Sequence, residues 1–243
     1  MLRLNSSSFS VPSITLDHAK RGNSMIRTLM VWITISTVSC GSMVMASAKK
    51  GLKEYQSNRD FTQSPEPKGS VRKKSKKKPT FVIHKHDATR LHYDVRLEIE
   101  GVMPSWAVPK GLSLDPKDKR LAVRTPNHPL EYAKFEGVIP DGQYGAGPVM
   151  IWDYGTYENI KKQHGKLVPM SKCLKDGQIE VALYGQKIEG NFALIRTALS
   201  GDKENWLLIK MKDEYASVRR NPTKTQNKSA VSGRTMRQIA KDA

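Results

Sequence analysis

Only two cysteines, Cys40 and Cys173, occur in 243 residues, and no CxxC or zinc-knuckle spacing is present. That excludes a zinc finger and argues against a disulfide framework, so a reducing compartment fits. Hydrophobic residues are scarce at 38%, and a large share of the chain is therefore expected in tails or loops. Aromatics reach only 7%, few for a surface built of stacking platforms. The longest apolar stretch, within "MIRTLMVWITISTVSCGSMVMASAKK", is diluted by Thr, Ser and Gly. It makes a poor spanning helix, and no stable membrane partner is expected. "GQYGAG" is rich in glycine but is followed by no GK[ST], so it is not a P-loop and its glycines read as turns. Acidic residues are also few: 23 against 41 Lys and Arg, a net +18. Such an excess favours a polyanionic partner, and the local block "KGSVRKKSKKKP" favours nucleic acid over membrane.

Four segments are expected. Residues 1–48 are Ser-rich or signal-like. Arg27, the apolar run and Ala46-Ser47-Ala48 imitate an export signal with its cleavage site. The favoured alternative is a natural start at Met45 preceded by over-called sequence. Removing 1–48 leaves 37 basic against 22 acidic residues, a net +15, so the basic character belongs to the remainder. Residues 49–79 read as a flexible basic arm. Residues 80–218 hold eight short strand-like stretches bounded by Gly, Pro or Asp, from "TFVIHK" to "NWLLIKMKDE". The expected fold is mainly β: a single small closed β-barrel of about eight strands, with short helices and flexible basic tails. Short helices are expected at "MSKCLKDG", after His128-Pro129 and at "RTMRQIAK". Residues 219–243 read as a polar tail.

The stretch "HKHDATRLHYDVRLE" holds an unusual strand. Side chains alternate across it: Leu91, Tyr93, Val95 and Leu97 share one face, and His92, Asp94, Arg96 and Glu98 share the other. If the "DAT" connection bends, His86 comes beside His92 and Asp94. Two imidazoles and a carboxylate leave open positions on a metal, and Arg96 can fork onto phosphate oxygens. The bland alternative is a solvent-facing strand edge with incidental His and Asp. His84 reads as a bystander that alternation would let line the same face. His128 and Tyr132 stand one helical turn apart. Lys110 sits at a strand end and Arg120 at a strand start, where single charges usually meet solvent.

The run from about Tyr55 to Ala216 resembles the 3′-phosphoesterase module of bacterial DNA ligase D. The resemblance rests on "RDFTQSPEP", "KHDATRLHYDVRLEIEG", "SWAVPKG", "KRLAVRTPNHPLEYAKFEG", "IPDGQYGAGPVMIWDYGTYE" and "NWLLIKMKDEYA". "VSGRTMRQIA" is similar to the segment that follows this module in the fused ligase. The resemblance implies an enzyme that removes 3′-terminal ribonucleosides and 3′-phosphates from DNA to leave a 3′-hydroxyl for end joining. Manganese is the implied metal, held by His86, His92 and Asp94. It makes Arg96 the phosphate-contacting arginine and gives His128 and Tyr132 to the phosphate-release step, with His128 either a general acid or a transition-state donor. Arg59, Asp60 and Glu66 match supporting residues of the arm, and Lys110 and Arg120 match basic groups of the groove. His84 stands where the family often has an amide such as Gln, and Pro126 and Asn127 where it often has acidic residues, which bears on substrate preference. With no ligase or polymerase region in view, a stand-alone form is expected. Its expected partners are 3′ ends of primer-template or nicked duplex DNA and a ligase or end-joining factor. Its expected location is the cytoplasm, on the nucleoid. The competing readings are a non-catalytic nucleic-acid-binding barrel and an exported metal phosphoesterase.

Overall fold

Each strand-like stretch of the sequence becomes one stave of a closed antiparallel barrel. A computed structural model describes residues 51–70, 78–198 and 204–242. The strands are β1 (Thr80–Asp87), β2 (Leu91–Leu97), β3 (Met103–Val108), β4 (Lys119–His128), β5 (Gly137–Ile139), β6 (Gly147–Asn159), β7 (Lys162–Gln163), β8 (Lys166–Leu167), β9 (Gln178–Gly185), β10 (Glu189–Arg196) and β11 (Asn205–Lys210). Their order is β1-β2-β3-β4-β11-β10-β9-β6, and β6 pairs back onto β1 to close the ring. β5 pairs with the start of β6, in text read as a shaped loop. β7 and β8 form a separate two-residue hairpin. Three residues for β5 and two each for β7 and β8 are too few for alternation to reveal a strand.

The barrel is filled by the inward-facing alternate residues. On β1 these are Phe81 and Ile83, and on β2 they are Tyr93, Val95 and Leu97. Trp106, Trp152 and Trp206 are fully buried among them. Truncating one such ring costs roughly 3–5 kcal/mol. A register shift between Ile83 and His84 puts one extra residue on β6, as a β-bulge does.

The outer face of β1, β3 and β6 is covered as well. Val82, Met103 and Ile151 pack under Leu130 and Ala133 of the 3-10 helix Leu130–Lys134. Tyr55, Tyr132, Phe135, Ile139 and Val149 form a second small core. This corrects the expectation of a loose arm. Residues 51–57 are helical (α1), and Leu52 and Tyr55, three apart, place their side chains on one face, both buried. The basic run 71–77, the signal-like segment 1–48 and Cys40 lie outside the described residues.

The expected helices are present as α2 (Met170–Asp176), the 3-10 turn after His128-Pro129 and α4 (Met236–Ile239), with α3 (Pro222–Thr225) added. The C-terminal segment is a second correction. Residues 219–242 run against the barrel rather than trailing as a polar tail. Trp152 donates its indole N–H to the Gln226 carbonyl at 2.5 Å, and Ala230 donates to Ile151 at 2.9 Å. Ile239 is fully buried with Met236 packed beside it. Two apolar residues three apart join these hydrogen bonds in anchoring a mostly polar segment. Among the described residues no helix is long and apolar enough to cross a membrane.

Candidate active site

β1 and β2 form an antiparallel hairpin in which His86 faces His92 and His84 faces Asp94. The bend expected in the "DAT" connection is the hairpin turn at 88–90, and it brings the two histidines together. Directly opposed residues have Cβ atoms about 5 Å apart, and the two imidazole centroids lie 4.8 Å apart. One ligand atom from each of His86, His92 and Asp94 lies within 4.8 Å of the others. His86 Nδ1 is 3.6 Å from one Asp94 oxygen and His92 Nε2 is 3.6 Å from the other.

The donors fit a divalent cation. His92 Nδ1 lies 2.8 Å from the Arg90 carbonyl, which directs Nε2 inward. His86 Nε2 lies 2.8 Å from the Gly145 carbonyl, which directs Nδ1 inward. Such outer partners fix ring orientation at metal sites. The Gly145 carbonyl is itself held by backbone that L side chains resist: φ is +78° at Gly145 and +130° at Gly147. A Cβ at Gly147 would sit 2.2 Å from the Asp87 carbonyl oxygen, so the loop lies directly on the end of β1.

Arg96 joins the donor set to the rest of the pocket. One terminal nitrogen donates to Asp94 at 2.9 Å, the other lies 2.8 Å from His128 Nδ1, and Nε donates to His84 Nδ1 at 3.2 Å. His84 is therefore no bystander. It is fully buried, it seats the guanidinium, and its ring meets Tyr132 edge-on at 5.5 Å. The Tyr132 ring also lies 4.6 Å from His128 and 4.8 Å from the Arg96 guanidinium. Arg59 approaches His128 Nε2 at 3.4 Å. It is held by Glu66 at 2.9 Å and by the Tyr55 carbonyl at 3.0 Å, and it lies 3.9 Å over the Tyr55 ring.

Burial and charge divide the protonation states. Burial pushes the His84 and His128 imidazoles well below the usual value, and Arg96 adds to it for both. Arg59 lowers His128 further. Both rings are thus neutral near pH 7. Burial opposes charge on His92, but its hydrogen bond and attraction to Asp94 outweigh burial and raise its pKa. Burial also opposes charge on Asp94, yet Arg96 and the two facing imidazoles hold its carboxyl well below the ordinary range. Burial drives the Tyr132 phenol up, so it stays a hydrogen-bond donor.

One cavity of about 410 Å³ is lined by His86, His92, Asp94, Arg96, His128 and Tyr132, with Arg59 at its side. Glu66 stands behind Arg59, buried, with Ser64 on its second oxygen. Glu66 thus supports the cavity without lining it, and three further expected residues are not brought into it. Asp60 is exposed and its carboxylate accepts from Thr62 and Gln63, shaping a turn of the arm. Lys110 is exposed in the turn after β3. Arg120 pairs with Asp118 at 2.7 Å, five residues along β4 from Thr125 on the cavity wall, or about 17 Å. The sequence reading missed His84, although its alternation with His86 was a usable signal. It also missed Arg90 and Tyr144, which line the cavity from turns that carry no periodicity.

A closed β-barrel with a three-donor metal cluster beside a buried guanidinium defines a candidate phosphoryl-handling centre. Residues 84–196, most of the barrel, match the DNA Ligase D 3'-phosphoesterase domain. The chain is 46% identical over 192 residues to the multifunctional non-homologous end joining protein LigD of Pseudomonas aeruginosa, covering 78% of this chain and 22% of the relative. It is 45% identical over 166 residues to LigD of Mycolicibacterium smegmatis, covering 67% and 21%. With the multifunctional non-homologous end joining DNA repair protein LigD of Mycobacterium tuberculosis it shares 44% over 163 residues, covering 67% and 20%. The chain spans about a fifth of the length of the curated relatives it matches.

Proposed function

We propose that this chain heals DNA 3′ ends, removing 3′-terminal ribonucleosides and 3′-phosphates to leave a 3′-hydroxyl for end joining. The observation that carries the reading is the His86, His92 and Asp94 cluster set against Arg96 in one cavity of a barrel most of which matches this domain. A divalent cation held by those three residues, manganese in our reading, supplies Lewis-acid polarisation of a phosphoryl oxygen or a water. Arg96, preorganised by His84, Asp94 and His128, stabilises charge that develops on the non-bridging phosphoryl oxygens. Arg59, positioned by Glu66, provides a second cation across His128. His128 is neutral and flanked by two guanidiniums, which suits a transition-state hydrogen-bond partner better than a stored imidazolium. Tyr132 donates a phenolic hydrogen bond. Asp60 acts through the shape of the arm, and Lys110 and Arg120 contact the DNA backbone away from the reacting phosphate. The substrate is a primer-template or nicked duplex, the consumer of its product is a ligase or end-joining factor, and the site of action is the cytoplasm, on the nucleoid.

The test incubates the purified chain with primer-templates ending in a 3′-ribonucleotide or a 3′-phosphate, with and without manganese. Conversion of both ends to a 3′-hydroxyl only with the metal is expected. A fully metal-loaded chain that leaves both ends intact would refute the proposal.

A further inference from the structure

Tyr144 is half exposed, at 50%, yet it lines the same cavity as Asp94 and Arg96. Tyr154, Tyr184 and Tyr215 are the other large exposed aromatics among the described residues, and none lines that cavity. The segment carrying Tyr144 is tied down on two sides. The Gly145 carbonyl meets His86 Nε2 at 2.8 Å. The Gln143 side chain accepts from the Asp60 backbone N–H and donates to Gln63, each at 3.3 Å. Turn hydrogen bonds from Gln143 N–H to Pro140 and from Ala146 N–H to Gln143 close it, at 3.2 and 3.1 Å. The backbone that carries the ring is therefore held relative to the metal donors while half the ring's surface meets water. Of the other aromatic rings on that wall, His86, His128 and Tyr132 are buried and His92 is half-buried, so Tyr144 is the exposed ring that a base can meet. The Arg59 guanidinium lies 5.5 Å from the Tyr144 ring.

We infer that Tyr144 is the stacking platform for the terminal nucleoside, so that the site reads the base at the 3′ end as well as its phosphate. The inference rests on the phosphoesterase reading above and deepens it. An unpaired base has a π-face that stacks on an aromatic ring regardless of sequence. A ring carried on backbone that is already held requires little further ordering of the chain when the base lands on it. The platform selects ends that carry a nucleoside over ends that carry only phosphate, and does so by binding rather than by chemistry.

The test is steady-state kinetics of the full chain with manganese on three primer-templates, ending in a base-bearing ribonucleoside, an abasic ribose and a 3′-phosphate. Tyr144→Ala should lower kcat/KM about 5- to 150-fold on the base-bearing end, chiefly through KM. The abasic and phosphate ends should change less than about twofold. Tyr144→Phe and Tyr144→Trp should restore the base-bearing end. With 2-aminopurine as the terminal base, wild-type protein should quench its fluorescence and Tyr144→Ala should not. Equal losses on base-bearing and abasic ends would overturn the inference, because the ring would then act only through Arg59 or the loop. No loss on any end would overturn it as well. A wild-type chain inactive on all three ends would instead remove the phosphoesterase reading, and the inference with it.

Discussion

Arg96→Met is the most informative single perturbation of this site. Methionine keeps an unbranched, flexible stem of similar length and removes the charge. It leaves the Asp94 carboxylate without its 2.9 Å partner, and His84 and His128 without their 3.2 and 2.8 Å partners. The Arg96 and Asp94 side chains are 3% and 6% exposed, so the pair belongs with buried ion pairs rather than screened surface ones. Removing one partner of such a pair costs about 3–5 kcal/mol, most of it for the charge left behind. For a domain of this size that lowers the melting temperature by about 6–20 °C. The double variant Asp94→Asn with Arg96→Met removes both charges, so its loss should fall at least about 1.5 kcal/mol short of the sum of the single losses. Manganese should return part of the Arg96→Met loss, since a cation on the same carboxylate restores positive charge. Turnover of both 3′ ends should fall about 10²- to 10³-fold. Urea titration of the four proteins, with and without metal, measures the cycle. A single-variant cost below about 1 kcal/mol with strictly additive double-variant behaviour would refute the coupling.

Replacing His92 or Asp94 with Ala should abolish manganese binding, followed by calorimetry, and both 3′-end activities, while circular dichroism keeps the barrel spectrum. Manganese affinity should weaken about tenfold per pH unit as pH falls through the raised pKa of His92, because a proton competes for Nε2; a pH-independent affinity would contradict this. His84 and His128 are neutral when folded and protonate more readily when unfolded. The unfolded state then binds more protons below about pH 6.5, so metal-free stability should drop there by about 1.4 kcal/mol per pH unit for each group, and His84→Gln should reduce that slope. His92 has the opposite sign, its contribution being full below the unfolded value and lost as pH rises through its raised pKa. His128→Ala and Tyr132→Phe should harm 3′-phosphate release at least about tenfold more than ribonucleoside removal; equal losses on both ends would reduce the two residues to general support. Neutralising the lysines of "VRKKSKKKP" should weaken duplex binding irrespective of sequence and flatten its salt dependence by roughly 0.9 in log-log slope for each DNA phosphate that the arm no longer neutralises.

The barrel was legible because its wall is written in period two. Phe81, Ile83, Tyr93, Val95 and Leu97 alternate with polar or smaller residues, and all eight staves were readable as strands. The donor triad was legible for the same reason: His92 and Asp94 differ by one full period, and His86 lies across a short polar link. The layer over the polar face was not legible. It depends on Leu52 and Tyr55 in polar text, on Leu130 in a short 3-10 helix and on Phe135 just after it, none of which forms a pattern long enough to detect. Without that layer His84 looks like one more strand histidine, and with it the same residue becomes a buried seat for Arg96. The distances between Asp60, Lys110, Arg120 and the cavity depend on pairing partners and turns, which a residue's type and neighbours do not encode. Tyr144 was hidden by the glycines around it, which announce a turn and say nothing about what the turn displays.

The two separate cores have a consequence for how the molecule opens. The cluster inside the barrel and the smaller one around Tyr55, Tyr132, Phe135 and Ile139 share a wall but little else. The closed ring of backbone pairing can persist while the outer cluster comes apart, making residues 51–70 and the 3-10 helix a cooperative unit of lower stability than the ring. Arg59 and Glu66 travel with that unit, whereas His86, His92, Asp94 and Arg96 stay on the staves. Amide exchange should therefore be faster across 51–70 than across β1 and β2. A transient opening would withdraw one guanidinium from the cavity while leaving the metal donors in register, a partial disassembly from which the site can recover without refolding the barrel.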